Sequence, residues 1–136
     1  MDSQDSAAKP TKPRPSAIVI AGHVLTVLVS LMLLMSATMK FLKPEGFDKQ
    51  FIETFGYQDH HAFWIGLTEL ACVVLFAIPR TCVLGAILLT GYLGGAVATH
   101  VRVDDPFFAP IIIGVVVWAA LFLKDARIRS LIPIRW

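Results

Sequence analysis

Charge is what this sequence has least of. Asp, Glu, Lys and Arg make up 16% of its 136 residues, against roughly 25% in soluble domains, which excludes a conventional cytosolic enzyme. Those charges nearly cancel, to a net +2, leaving no basic field to attract nucleic acid. Cysteine is almost missing. Cys72 and Cys82 form no Cys-x-x-Cys and fall at different depths of the apolar runs, so a disulfide scaffold and a self-contained thiol oxidoreductase are both excluded. A glycine-rich phosphate loop, a Gly-x-Ser-x-Gly elbow and a His-Glu-x-x-His pair are absent, so nucleotide and hydrolase chemistry of the soluble kind has no support. There is no repeat of about 20 to 50 residues and no inverted-repeat signature of a transporter. What is abundant is apolar surface: 56% of the residues are hydrophobic and the mean hydropathy is +0.69. The composition is that of a membrane protein.

The charges punctuate four apolar runs. Between Arg14 and Lys40 lie 25 uncharged residues; between Asp59 and Arg80 lie 20, interrupted only by Glu69. Thr81 to Val101 gives 21 and Pro106 to Leu123 gives 18, close to the ~20 residues a helix needs to cross a bilayer. Runs this long exclude alternating barrel strands, and helices alone then satisfy the backbone in hydrocarbon. The fold class expected is all-α: an integral membrane four-helix bundle with helices near 17–40, 61–79, 81–102 and 106–124. Pro79-Arg80 joins the second and third almost without a loop, which makes them antiparallel neighbours.

Phe47, Phe51 and Phe55 recur at four-residue spacing between the first two helices, with Asp48, Lys49 and Glu53 turned away. This is the pattern of a short amphipathic interfacial helix, and a binding lid would show it too. Residues 1–16 mix Ser, Lys, Asp and Pro without periodicity and read as a disordered arm. Residues 17–124 form the single transmembrane domain. Residues 125–136 read as a basic tail at the membrane surface. In this arrangement eight Lys and Arg fall on the side of the termini and four on the other, which places both termini in the cytoplasm. The first apolar run is too long for a signal-peptide core and stays as a helix.

Glu69 is the residue that apolar composition does not explain. It falls about 12 Å below the end of its helix at 1.5 Å per residue, where an ionised carboxylate costs roughly 2.5 to 3.5 kcal/mol. It must face the bundle and find a partner. Lys40 ends the first helix on the same side, and His100 and Arg102 end the third. Gly22, Thr26, Leu33, Ser36 and Lys40 share one line of the first helix at 100° per residue. Glu69, Lys40 and His100 therefore form the candidate polar site, with proton carriage or hydrogen bonding as its chemistry. A purely structural ion pair that fixes helix register is the competing reading, and Lys40 is long enough to snorkel from a helix end. His23 lies on another face, near the opposite end. His60-His61 lacks the third ligand a zinc site needs, so no metal site is assigned. In the third helix Gly91, Gly94, Gly95 and Ala98 present the small-residue spacing that lets helices pack closely, on a face nearly opposite His100.

Four segments together resemble the DoxX-like family of small bacterial membrane proteins. They are Leu34-Met35-Ser36-Ala37-Thr38-Met39-Lys40-Phe41, Gly66-Leu67-Thr68-Glu69-Leu70, Ile78-Pro79-Arg80-Thr81, and Gly91-Tyr92-Leu93-Gly94-Gly95-Ala96-Val97-Ala98-Thr99-His100. The resemblance runs from about residue 22 to 124 and implies a four-helix membrane protein of the bacterial inner membrane. Some members are named for the membrane subunit of a thiosulfate:quinone oxidoreductase, and others are linked with redox or oxidative-stress complexes. It implies the positions of Lys40, Glu69 and His100 as the site and leaves the activity open.

Three functions are compatible with this reading. The first is an accessory or anchoring subunit of an inner-membrane, redox-type assembly, without catalysis or cofactor of its own, held by a membrane protein partner or as a homo-oligomer. The second is a protein that binds a quinone or other small lipophile through Glu69 and His100. The third is an oligomeric channel or proton-coupled carrier. In all three the lipid bilayer is the surrounding partner.

Overall fold

Leu, Val, Ile, Ala and Met fill the long apolar runs, and each run becomes a helix ended by a charge, a glycine or a proline. In the computed structural model, which describes residues 16–131, α1 spans Ala17–Leu42, α2 Asp59–Ala77, α3 Cys82–Arg102, α4 Phe108–Lys124 and α5 Ala126–Leu131. No strand occurs among the described residues. The four long helices fall within two residues of the expected limits at every end. The expected disordered arm lies outside the described residues except for Ser16, as do residues 132–136 of the tail.

Packing runs around a ring. α1 contacts α2 and α4, and α3 contacts the same two, while α5 folds back against α4. Three glycines set the closest approaches. A Cβ on Gly85 of α3 would lie 2.2 Å from the Phe76 nitrogen of α2, and one on Gly22 of α1 would lie 2.7 Å from the Lys124 nitrogen of α4. A Cβ on Gly66 of α2 would meet the Lys40 Cβ of α1 at 3.0 Å. The turn between α2 and α3 is tied by Thr81, whose hydroxyl donates to the Leu75 carbonyl at 2.8 Å. Around it the hydrophobic core gathers Phe76, Leu89, Val117, Leu121 and their neighbours. Ile128 of α5 joins that core, and Arg129 donates to the carbonyls of Phe122 and Leu123 at the end of α4. The first part of the basic tail is thus a helix docked on the bundle.

The exterior is as apolar as the interior. Leu28, Leu31, Trp64, Ile112 and Val115 are more than half exposed, an arrangement that water would not tolerate but hydrocarbon requires. Three helices, α1, α2 and α3, are long and apolar enough to cross a membrane. At 17 residues α4 stands at the short end of the spanning range, roughly 17 to 25 residues.

The aromatic segment between α1 and α2 takes a specific form. Residues Lys49–Thr54 make a π-helical turn, bracketed by Gly46 at φ 87° and Gly56 at φ 72°, where a side chain would be strained. Rings of Phe47, Phe51 and Tyr57 stack in series, with centroids 4.9 and 5.0 Å apart. Phe51 is buried, so the segment turns this ring toward the bundle.

Candidate functional site

The tightly packed half of the bundle lies toward the α2–α3 turn, and the other half opens into a cavity of about 620 Å³. Most of its wall is apolar, supplied by Met32, Met35 and Met39 of α1, Ile65 of α2, Ile113 of α4, and the Phe47, Phe51 and Phe55 rings of the connecting segment. Met35 and Met39 are largely exposed, which puts them at the rim. The polar lining comes from Ser36, Lys40, Glu69, Tyr92, Thr99 and His100, with Gln50 and Tyr57 from the segment above.

Glu69 is 1% exposed and is the one charged side chain in the buried interior among the described residues. Its Oε2 meets the Lys40 ammonium at 2.9 Å. Lys40 also donates to the Ser36 hydroxyl at 2.9 Å and the Ser36 carbonyl at 3.3 Å, so its three protons all have acceptors. Gly66 makes this possible. Lying one helical turn before Glu69 on the same face of α2, it lets the Lys40 stem come within 3.0 Å of where a Cβ would stand. The Tyr92 phenol of α3 lines the same cavity.

His100 lines the cavity but pairs elsewhere. Its Nδ1 lies 2.6 Å from Oδ2 of Asp105, in the turn leading to α4. The Phe55 ring packs edge-on against the imidazole, with centroids 5.0 Å apart. The connecting segment is latched to this end of α3 by two further bonds. The Tyr57 hydroxyl lies 2.6 Å from Thr99 Oγ1, and Arg102 donates to the Phe55 carbonyl while its guanidinium sits 5.9 Å from the centre of the Tyr57 ring. Lys43 binds Asp59 at the far edge. The segment reads as a lid over the cavity.

Of the three residues expected to form the site, Lys40 and Glu69 are in direct contact, and His100 lines the same cavity but is hydrogen-bonded to Asp105. The glycines expected to pack helices behave otherwise within the chain. A Cβ on Gly91, Gly94 or Gly95 would meet nothing within 4 Å, and Gly91 and Gly95 line the cavity. The helix wheel also placed the glycine face opposite His100, yet both border the same cavity, because it spans about half the circumference of α3. Close packing falls instead to Gly22, Gly66 and Gly85. Sequence reasoning missed Tyr92, Tyr57, Asp105 and Gly66. Gly66 was detectable, three residues before the buried carboxylate; the others depend on how a loop folds over the bundle. His61 serves α2 by accepting the Gln58 N–H on Nδ1, and among the described residues no group of three or more His, Cys, Asp or Glu is placed to hold a metal.

Comparison with curated proteins and with solved structures finds no match. The family profile that does match covers residues 24–123, the span that holds α2, α3, the lid, Lys40, Glu69 and His100. The chain belongs to the DoxX-like family.

Proposed function

We propose that this membrane protein binds a small lipophilic molecule, of the quinone class or another with an apolar body and one polar head. The supporting observation is the 620 Å³ cavity with the Lys40–Glu69 pair on an otherwise apolar wall. Ligand sites commonly combine this much apolar lining with a few convergent polar groups. The pair supplies orientation, the thioethers of Met32, Met35 and Met39 supply a polarisable wall for a ring, and the aromatic segment covers the head. In this reading all four long helices cross the bacterial inner membrane, with both termini cytoplasmic and the lid on the outer side.

The test is retention. Wild type extracted in mild detergent should carry lipophiles that mass spectrometry detects. Gly91→Leu/Gly95→Leu, which adds bulk at two lining positions where a Cβ would meet nothing within 4 Å, should lose them. Equal retention by both would refute the reading.

A second reading, an accessory or anchoring subunit of a redox-type complex, draws on a different face. Gly94 and Ala98 are exposed and Gly94 has open space around it, as a partner helix would need. Affinity purification should then recover a stoichiometric membrane partner that Gly94→Leu releases. Purification of the chain alone under the same conditions would dispose of it.

A further inference from the structure

The cavity is covered on the lid side and open on a flank of the bundle, which bears on how a ligand arrives; this inference rests on the binding reading above. On the lid side the connecting segment is fastened down. Phe51, 6% exposed, stacks between Phe47 and Tyr57, and the Tyr57–Thr99 and Arg102–Phe55 bonds tie the segment to α3. Gln50 is the one polar lining residue left exposed there.

The seam between α1 and α4 changes character along its length. Away from the lid it is sealed: a Cβ on Gly22 would lie 2.7 Å from the Lys124 nitrogen and 2.9 Å from the Ala120 carbonyl oxygen, and the Lys124 ammonium donates to the Thr26 hydroxyl at 2.9 Å. Toward the lid the cavity takes its lining from both helices, Met32, Met35 and Met39 on α1 and Ala109, Pro110 and Ile113 on α4. The three methionines fall within about 60° of one another on the α1 wheel, and they are 41%, 59% and 48% exposed. Ala109, on the α4 side, is exposed as well. Side chains that line a cavity and are also exposed stand at its mouth, and on an exterior this apolar the mouth opens on hydrocarbon. Methionine suits the position, because its unbranched side chain has three torsions and swings aside without leaving a strongly polar group in lipid. Lys40 follows Met39 and lies about 100° further round the helix, which puts the Lys40–Glu69 pair just inside the mouth.

We infer that the site is loaded sideways from the leaflet on the lid side, through the methionine-edged seam between α1 and α4, and that its ligand is a membrane amphiphile whose polar head docks at the Lys40–Glu69 pair while its chain stays in the lipid. The 620 Å³ of the cavity then limits the head and the first part of the chain, and not the chain's length.

The experiment is photolabelling in phosphatidylcholine vesicles with two forms of 1-hexadecanol, one carrying a diazirine near the hydroxyl end and one near the methyl end, the adducts being located by proteolysis and mass spectrometry. The head-labelled form is expected to mark Glu69, which at 1% exposure is out of reach of the surrounding lipid. The tail-labelled form should mark exposed residues of α1 and spare Glu69. In Met35→Trp/Ala109→Trp, which adds bulk at two exposed positions of the mouth, the Glu69 adduct should fall about tenfold, the scale on which overfilling a seam is felt. Adducts at Leu28 and Leu31, both more than half exposed on α1, should persist in that variant and show that it is folded and inserted. Leu28→Trp, on the same helix but outside the lining, should leave the Glu69 adduct unchanged. An undiminished Glu69 adduct in Met35→Trp/Ala109→Trp, or a tail-labelled form that marks Glu69 as strongly as the head-labelled one, would overturn sideways loading while leaving the cavity as a binding site. A wild type that gives no Glu69 adduct but retains lipophiles on extraction would do the same, and one that does neither would overturn the binding reading too.

Discussion

Separating the Lys40–Glu69 pair tests whether the fold or the ligand needs it. Glu69 carries a side chain only 2% exposed in the middle of α2, whereas Lys40 is 15% exposed near the end of α1. Removing one member of a buried pair typically costs 3–5 kcal/mol, because the survivor is left charged and unpaired. The two survivors differ. After Glu69→Leu, Lys40 keeps both Ser36 acceptors and can turn its ammonium toward the interface, so a loss of about 2–3 kcal/mol is expected. After Lys40→Met, the carboxylate, with its side chain only 2% exposed, is left without its cation and the loss is expected nearer about 4 kcal/mol, close to a thousandfold in the unfolding equilibrium. Replacing both by Met and Leu should restore stability to within about 1 kcal/mol of wild type, since apolar isosteres of buried pairs often match them. Unfolding in detergent micelles, followed by far-UV circular dichroism, reads all four proteins. A double variant as unstable as the worse single, or a Lys40→Met protein as stable as wild type, would refute the reasoning. A double variant that folds well but no longer binds the lipophile would mark the pair as kept for binding.

The glycines should sort into two kinds: Gly85→Ala forces a Cβ into the backbone of α2 and is expected to cost at least about 1–3 kcal/mol, while Gly91→Ala meets open space and should gain up to about 1 kcal/mol of helix propensity. Thermal unfolding of the two variants checks the order. Tyr57→Phe removes the bond to Thr99, worth about 1 kcal/mol. It should speed amide exchange across residues 47–57 while leaving the midpoint of global unfolding nearly unchanged; unchanged exchange would show that the latch lies elsewhere. For orientation, Glu45→Cys should react with a membrane-impermeant maleimide in intact cells and Arg80→Cys only after permeabilisation, and the reverse pattern would invert the proposed topology.

Much of the architecture follows from apolar run length alone. Once water is excluded, each backbone N–H and C=O must be paired within its own segment, so the spacing of charges fixes where helices start and stop. Glu69 stands out for the same reason, as a carboxylate that must find a partner, and Lys40 is within sequence reach of it at the matching end of α1. His100 shows the limit. Helix ends place it near Glu69, but the turn after α3 brings Asp105 closer, and a loop conformation is not encoded in periodicity. The glycines show another, because a Gly-x-x-x-Gly spacing states that a backbone can be approached and not what approaches it.

The sequence by itself determined the class of solvent, the helices and the need to satisfy one buried charge, all of which are local costs paid residue by residue. Tertiary structure alone decided that α1 and α4 leave a cavity beside that charge, that Gly66 rather than Gly91 brings Lys40 to it, and that Phe51 and Tyr57 close over it. Those outcomes depend on sub-ångström distances between elements far apart in the chain, where a single Cβ decides whether two helices touch.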